Sequence, residues 1–356
     1  MKVLVVGDWL AEIYEESFYN AFKEHGCEVH KFSWIQYFKY YQYPNKFKVK
    51  KNFLLSLYYR LQNRFTCGPE LISINRDLVR NCKSNNYDLV FIYRGTHIFP
   101  SSIKKLKKNG TKVFGYNNDD PFSSHYPRYL WRHFMRGLKE YDHVFSYRHK
   151  NLDDYKKLGY KSSSVLRSYY LKEKNFIMDD SNVKEDFKRD VVFIGHYEND
   201  GRDEVILHLL KSGIDLKLYG PEWEKSEHFK EIVSFTGVIR PLYSEYNEAL
   251  NGAKVALVFL SKINNDTYTR RVFEVPAVKT VMLSEYTDDL SALYEESKEI
   301  LFFSDGEHCL EILQGLLANS RRTQEIANRA YQRLIADGHE VYDRATQILA
   351  MYESEK

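Results

Sequence analysis

KVALVFLSKINNDTYTRRVFEVPAVKTVMLSE (Lys254–Glu285) runs from one unbroken apolar stretch, through a polar segment and a short helical pattern, into a second apolar stretch. A strand covered by helices on both faces reads as such an unbroken run, whereas a strand with one wet face alternates. Lys254–Leu260 and Thr280–Glu285 therefore read as parallel strands, with a helix over Arg271–Val278 between them. The same grammar recurs upstream at Lys2–Gly7, Cys27–Phe32, Asp88–Tyr93, Lys112–Asn117, His143–Tyr147 and Ser164–Tyr169. It continues at Asp190–Gly195, Leu216–Gly220, Val233–Gly237 and Ile300–Ser304. Helical patterns between the runs suit right-handed crossovers. The expected fold class is α/β, with two doubly wound Rossmann-like domains facing across a cleft.

A length of 356 residues fits two domains. The expected boundaries are 1–175, 185–345 and a C-terminal helix over 346–356 that returns to the first domain. The charged stretch Leu171–Arg189 is the expected linker, and Arg322–Ala350 is a long helical pattern broken at Gly338. The opening apolar run stops at Asp8, too soon for a signal peptide, and no run approaches the ~18 residues of a membrane span. Four cysteines without a CxxC pair suit neither a zinc site nor a disulfide framework. A cytoplasmic protein with reduced thiols is expected.

The net charge of +3 hides a segregation. Val29–Pro69 holds eight Lys and Arg and no acid, so the remainder of the chain stands at −5. The insertion 33–66 packs Trp, Tyr and Phe among these cations. That composition suits an anionic membrane surface, stacking on sugar rings or single-stranded nucleic acid, or a helical excursion whose aromatics are core. Nucleic acid is the weakest of these, because the rest of the chain is acidic.

Ligands of open parallel sheets bind beyond the carboxyl ends of the strands. Within the opening stretch, that position holds Asn264, Asn265, Asp266 and Thr267, then Arg270 and Arg271. Guanidinium groups grip phosphate oxygens in a bidentate fork. Glu274, one helical turn after Arg271, is placed to accept both hydroxyls of a ribose; an Arg271–Glu274 surface ion pair is the plain alternative. Gly195, His196 and Arg202 follow another strand and offer a close backbone approach and donors for a pyrophosphate, or only a structural turn. Tyr219 and Gly220 end the next strand and suit either a base-side contact or core packing.

In the first half the same criterion selects Asp8, Arg94, His97, Asn118, Asp119 and Asp120. Asp119 and Asp120 lack a third carboxylate for a hard cation, so no metal is expected. An acceptor hydroxyl at Asp119 or Asp120 competes with an Asx-turn role, and a lone His97 with a structural one.

Arg271-x-Phe273-Glu274 followed by Pro276-Ala277 and an apolar strand resembles the C-terminal domain of CgeB-like (spore maturation protein type) glycosyltransferases. VVFIGHYENDGRDEVI, LKLYGPEW and ILFFSDGEHCLEILQGLL, with His339 and Arg344 in the helical end, extend the resemblance from Asp190 to about Leu349. The first half is similar only loosely. The resemblance implies the GT-B fold and a retaining transferase with an acid-x7-acid motif, here Asp266 and Glu274. It implies that Glu274 holds the donor ribose, that Asp266 lies near the donor sugar, and that Asp119-Asp120-Pro121 belongs to the acceptor side. Two departures are Asp at the first acidic place and Lys279 where the family has glycine.

The expected activity is transfer of a sugar from a nucleotide diphosphate-sugar to a hydroxyl of a glycan, lipid-linked, protein or small-molecule acceptor. It needs no metal or other cofactor, because Arg270, Arg271, His196 and Arg202 stabilise the leaving diphosphate. Asp266 and Asp120 complete the expected catalytic set. The alternatives are a sugar-nucleotide epimerase of the same fold and an inactive nucleotide-sugar-binding protein. Peripheral attachment to the inner face of the plasma membrane through residues 33–66 is a further expectation.

Overall fold

The computed structural model describes residues 1–38, 53–107 and 110–355. It divides into two units, Met1–Arg167 with Val341–Lys356, and Ser168–Glu340.

The first unit is built on strands β1 (Lys2–Gly7), β2 (Glu28–Ser33), β3 (Leu89–Tyr93), β4 (Lys112–Asn117), β5 (His143–Ser146) and β6 (Ser163–Val165). They form one parallel sheet in the order β2-β1-β3-β4-β5-β6. Val3–Val6 and Leu89–Tyr93 are buried throughout, as a sheet covered on both faces requires. The helices are α1 (Ser17–Glu24), α2 (Phe53–Phe65), α3 (Pro69–Asn85), α4 (Pro100–Leu106), α5 (Arg132–Gly137) and α6 (His149–Lys157). A π-helical turn over Glu12–Glu16 leads from β1 into α1.

The second unit contains β7 (Arg189–Ile194), α7 (Arg202–Lys211), β8 (Leu216–Tyr219), α8 (Phe229–Thr236), α9 (Tyr246–Asn251) and β9 (Ala253–Val258). It continues with α10 (Arg271–Ala277), β10 (Val281–Glu285), α11 (Asp288–Leu293), β11 (Leu301–Phe303), α12 (Gly306–Leu317) and α13 (Ser320–Ala336). Its parallel sheet runs β11-β10-β9-β7-β8. The chain then re-enters the first unit as α14 (Val341–Ser354), where Tyr342 stacks on His25 at 3.8 Å and Arg344 Nε donates to the Arg167 carbonyl.

Two expectations are corrected. Val233–Gly237 is the end of α8 and not a strand: burial recurs at Ile232 and Thr236, four residues apart, and Gly237 closes the helix at φ +70°. Five apolar or small residues are too few to separate a strand from a helix by period. Leu171–Arg189 is not a free linker either. Backbone amides of Phe176 and Met178 donate to the side chains of Asn247 and Asn251, Lys184 N donates to Glu248 Oε1, and Phe187 is buried. The segment is thus laced onto α9, and the division lies at 167/168 and 340/341. Residues 39–52, which include Lys46–Lys51 of the expected basic insertion, lie outside the described residues.

Candidate active site

In the second unit β7 lies between β8 and β9, so the chain winds one way after β7 and the other way from β9. That reversal opens a crevice at the carboxyl ends of β7 and β9, where such sheets take ligands. Arg271, the first residue of α10, lies in it. Its Nε donates to the Ile194 carbonyl at 2.6 Å, and its guanidinium stands 5.8 Å over the Phe193 ring. A Cβ on Gly195 would sit 2.8 Å from Arg271 Nη2, so the glycine is what admits the fork at the strand end. Among the described residues no carboxylate pairs with Arg271, so its charge is left to act on a ligand.

Arg270 is held differently. Its Nε bonds Glu274 Oε1 at 2.7 Å, and its guanidinium lies 4.6 Å over the Tyr169 ring. Tyr246 donates to the other oxygen, Glu274 Oε2, at 2.7 Å. Burial, and next the Glu274 charge, push the Tyr246 phenol well above its ordinary pKa, so it stays a donor. Glu274 is buried and both its oxygens are engaged. The ion pair weighed as the plain alternative for Glu274 does form, but with Arg270, four residues away on the helix, in place of Arg271. Asp266 is half-buried in the loop between β9 and α10, its amide donating to the Ser261 carbonyl. Thr267 Oγ1 donates to Asp289 Oδ2 at 2.6 Å, and its carbonyl accepts from Thr287, the cap of α11.

The loop after β7 is braced from within. Arg202 is buried, with Nε and Nη2 on Asp200 at 2.8 and 2.7 Å and Nη1 on the His196 carbonyl. His196 is exposed and shares a hydrogen bond with Glu198 at 2.8 Å. Burial pushes the Glu198 carboxyl up, but His196, the Arg202 charge and the Ser261 hydroxyl outweigh it and hold it below the ordinary value. Arg202 thus fixes the loop that presents His196, and its own donors are turned inward. Tyr219 and Gly220 are buried. A Cβ on Gly220, at φ +143°, would lie 1.9 Å from the Gly195 carbonyl oxygen, so the two strand ends touch through backbone alone.

In the first unit the reversal falls between β1 and β3. Asp8 follows β1 and donates its amide to Glu15 Oε1 at 2.9 Å. Arg94 follows β3 in the left-handed region, φ +64°, a strained state for a non-glycine residue that costs about 1–2 kcal/mol. Its Nη2 pairs with Asp119 at 2.7 Å. Asn118 lies in the same strand-end loop as Asp119, and its carbonyl accepts from Arg148 Nη1 at 2.8 Å.

Two expected residues here have structural surroundings. The Asp120 carboxylate is fully buried, accepting from Asn151 at 2.7 Å, from Lys150 at 3.3 Å and from the Phe122 amide at 2.9 Å in an Asx turn. An enclosed carboxylate so bonded is not open to an acceptor hydroxyl. His97 is buried too, stacked on Trp34 at 3.8 Å and bonded to Thr96 and Asn63. Burial, with His133 and Arg94 nearby, lowers its pKa to about 3, so the ring is neutral.

The residues missed by sequence reasoning are Tyr246 and Glu15; Glu198 and Asp200 fall in the strand-end stretch Gly195–Arg202, but without a role of their own. Glu15 is buried in the π-helical turn, its pKa pushed up to about 7 by burial and by Asp8. A Cβ on Gly7 would fall 2.1 Å from Glu15 Oε1, so glycine at the end of β1 makes room for it. The π turn, an insertion of one residue into a helix start, is a recurrent mark of functional sites. Among the described residues no group of three or more His, Cys, Asp or Glu side chains gathers as a metal site does.

Residues 202–350 match the family model described as "Glycosyl transferase-like". At the level of sequence no curated protein matches the chain. Solved structures share its fold over nearly the full length. Sucrose-phosphate synthase from Thermosynechococcus elongatus superposes with a TM-score of 0.69 at 12% identity, covering 99% of this chain and 98% of that one. Anabaena HepE, in complex with UDP and glucose, gives 0.67 at 10% identity, covering 99% and 100%. A UDP-N-acetylglucosamine 2-epimerase, so described, from Listeria monocytogenes gives 0.58 at 13% identity, covering 99% and 96%. The chain has two parallel-sheet Rossmann-like units in the fold of GT-B glycosyltransferases, and a glycosyl transferase-like match spans most of the second.

Proposed function

We propose that the protein is a glycosyltransferase of the CgeB-like, retaining kind, moving a sugar from a nucleotide diphosphate-sugar to a hydroxyl of a glycan or lipid-linked acceptor in cell-surface polysaccharide biosynthesis. The observation that carries this reading is Arg271: a part-buried guanidinium fixed by the Ile194 carbonyl, against Gly195, with no carboxylate neutralising it among the described residues. A pyrophosphate is the ligand that such a fork at a strand end recognises best. As the bond from sugar carbon to phosphate oxygen breaks, its electron pair goes to the phosphate. Arg271 stabilises that growing charge from a position fixed before the reaction, which is the strongest form of electrostatic catalysis. Arg270 is paired with Glu274, whose two oxygens are taken by Arg270 and Tyr246, so this buried pair braces the start of α10 from which Arg271 projects, and a ribose contact at Glu274 would require that pairing to open.

In this reading the chemistry runs without a metal, Arg271 doing the charge stabilisation that a cation does elsewhere. The acceptor's proton passes to the departing phosphate oxygen as the acceptor oxygen bonds the sugar carbon. UDP, found in complex with HepE, is the first nucleoside diphosphate to try. The test is release of nucleoside diphosphate from UDP-, GDP-, ADP- and dTDP-sugars with and without polysaccharide or polyprenyl acceptors, in the presence of chelator. Acceptor-dependent release that survives chelation supports the reading. Interconversion of the donor sugar without acceptor would instead identify an epimerase, and binding without turnover under every acceptor an inactive binding protein.

A further inference from the structure

The helix α2 is inside out. A helix on a globular unit turns its apolar stripe inward and its polar residues to water. In α2 the inward side holds the buried Gln62, its Oε1 accepting the Glu70 amide, and Asn63, which bonds His97, beside a single half-buried aromatic, Tyr59, on the core. Phe53, Leu54, Leu57, Tyr58, Leu61 and Phe65 are all exposed, Phe53 at 77% and Leu54 at 73%. At 3.6 residues per turn these six fall within an arc of about 140°. Seven of the exposed large hydrophobic side chains among the described residues, counting Leu55, lie in these thirteen positions. The concentration marks an interaction surface rather than scattered exposure.

We infer that the outward face of α2 is a membrane-docking surface, which lays its leucine and phenylalanine side chains into the headgroup boundary of an anionic lipid bilayer. Charge selects lipid over other partners. Arg60 and Arg64 lie on the edge of the apolar arc, and no acid occurs anywhere from Val29 to Pro69. A basic rim around Phe and Leu is the composition of interfacial helices, whose cations meet lipid phosphates while their apolar side chains sink a few ångströms deeper. A second copy of the chain docked through the same face would bring like charges together. No helix among the described residues is long and apolar enough to cross a membrane, so attachment by this route is to one surface. The inference is independent of the transfer reaction.

Flotation of the full chain with vesicles of phosphatidylcholine, alone or mixed equally with phosphatidylglycerol, tests it. The wild type is expected to float with the mixed vesicles, and Leu54→Ser/Leu57→Ser/Leu61→Ser to lower the bound fraction about tenfold with an unchanged Tm. A Phe53→Trp variant is expected to shift to the blue and be quenched by brominated lipid only in the mixed vesicles. The inference is overturned if the wild type stays unbound with both vesicles, or if the triple variant floats like wild type. It is equally overturned if the triple variant melts well below wild type, since the face would then be covered by the chain itself. A wild-type dimer that the triple variant dissolves would reassign the face to self-association.

Discussion

Arg271 Nη2 stands 2.8 Å from the point where a Cβ on Gly195 would be, closer than any real Cβ tolerates. Glycine at the end of β7 and arginine at the start of α10, 76 positions apart in sequence, are thus one spatial unit. Gly195→Ala is expected to displace the fork, lowering kcat/KM for the donor by about tenfold to a hundredfold, as loss of a positioned charge-stabilising donor does. Phe193 Cζ lies 2.6 Å from the same point, so a stability loss of about 1–3 kcal/mol accompanies it. Steady-state kinetics with a parallel melt separates the two effects, because the melt alone would change if Arg271 stayed in place.

Lys279 occupies the turn after α10 at φ +59°, the conformation that glycine takes freely. Its one compensation among the described contacts is an ammonium 5.0 Å from the Tyr331 ring. Lys279→Gly is expected to stabilise by about 0.5–1 kcal/mol, seen as a Tm rise of roughly 1–3 °C. Activity is expected to stay unchanged, because the residue is exposed and remote from Arg271 along the helix. A Tm that falls would show that the contact with Tyr331 outweighs the backbone strain.

Glu15 gives the first unit a pH dependence of known sign. Its pKa is raised by burial, then by Asp8, from 4.5 to about 7, so the folded state holds a proton that the unfolded state has released. Stability from this group is full below about pH 4.5 and is lost as pH rises toward 7, each unit of the raise corresponding to about 1.4 kcal/mol. His97 works the other way, since its lowered pKa makes stability fall as pH drops below 6.5 toward about 3. Glu15→Gln keeps an acceptor for the Asp8 amide and removes the charge. Denaturant melts from pH 5 to 8 are expected to show the variant gaining on wild type as pH rises. A difference constant with pH would show that Glu15 is ionised throughout.

Much of this was legible in the chain. The parallel strands were, because burial on both faces writes itself as unbroken apolar runs such as Leu89–Tyr93. Arg271 and Gly195 were, because the strand-end rule needs only topology. Tyr246 was not, since it reaches Glu274 across 28 positions and lies in no recognisable pattern. Glu15 looked like an ordinary acid at a helix start, and only the π turn and Gly7 reveal it as buried. Asp120 and Asp119 are adjacent in sequence and opposite in fate, one closed in by Asn151 and Lys150 and the other paired with Arg94 at a strand end. The reversed amphipathicity of α2 was also invisible, because a periodic pattern tells which residues share a face but not which way that face points.

The central claim is that Arg271 grips the donor pyrophosphate. Calorimetric titration of wild type, Arg271→Ala and Arg271→Lys with the nucleoside diphosphate that best stabilises the wild type measures this directly. The account predicts that Arg271→Ala weakens binding at least about tenfold with an unchanged melt, and that Arg271→Lys recovers only part of it, since lysine lacks the Nε that holds the Ile194 carbonyl. Equal affinity in all three proteins would contradict it.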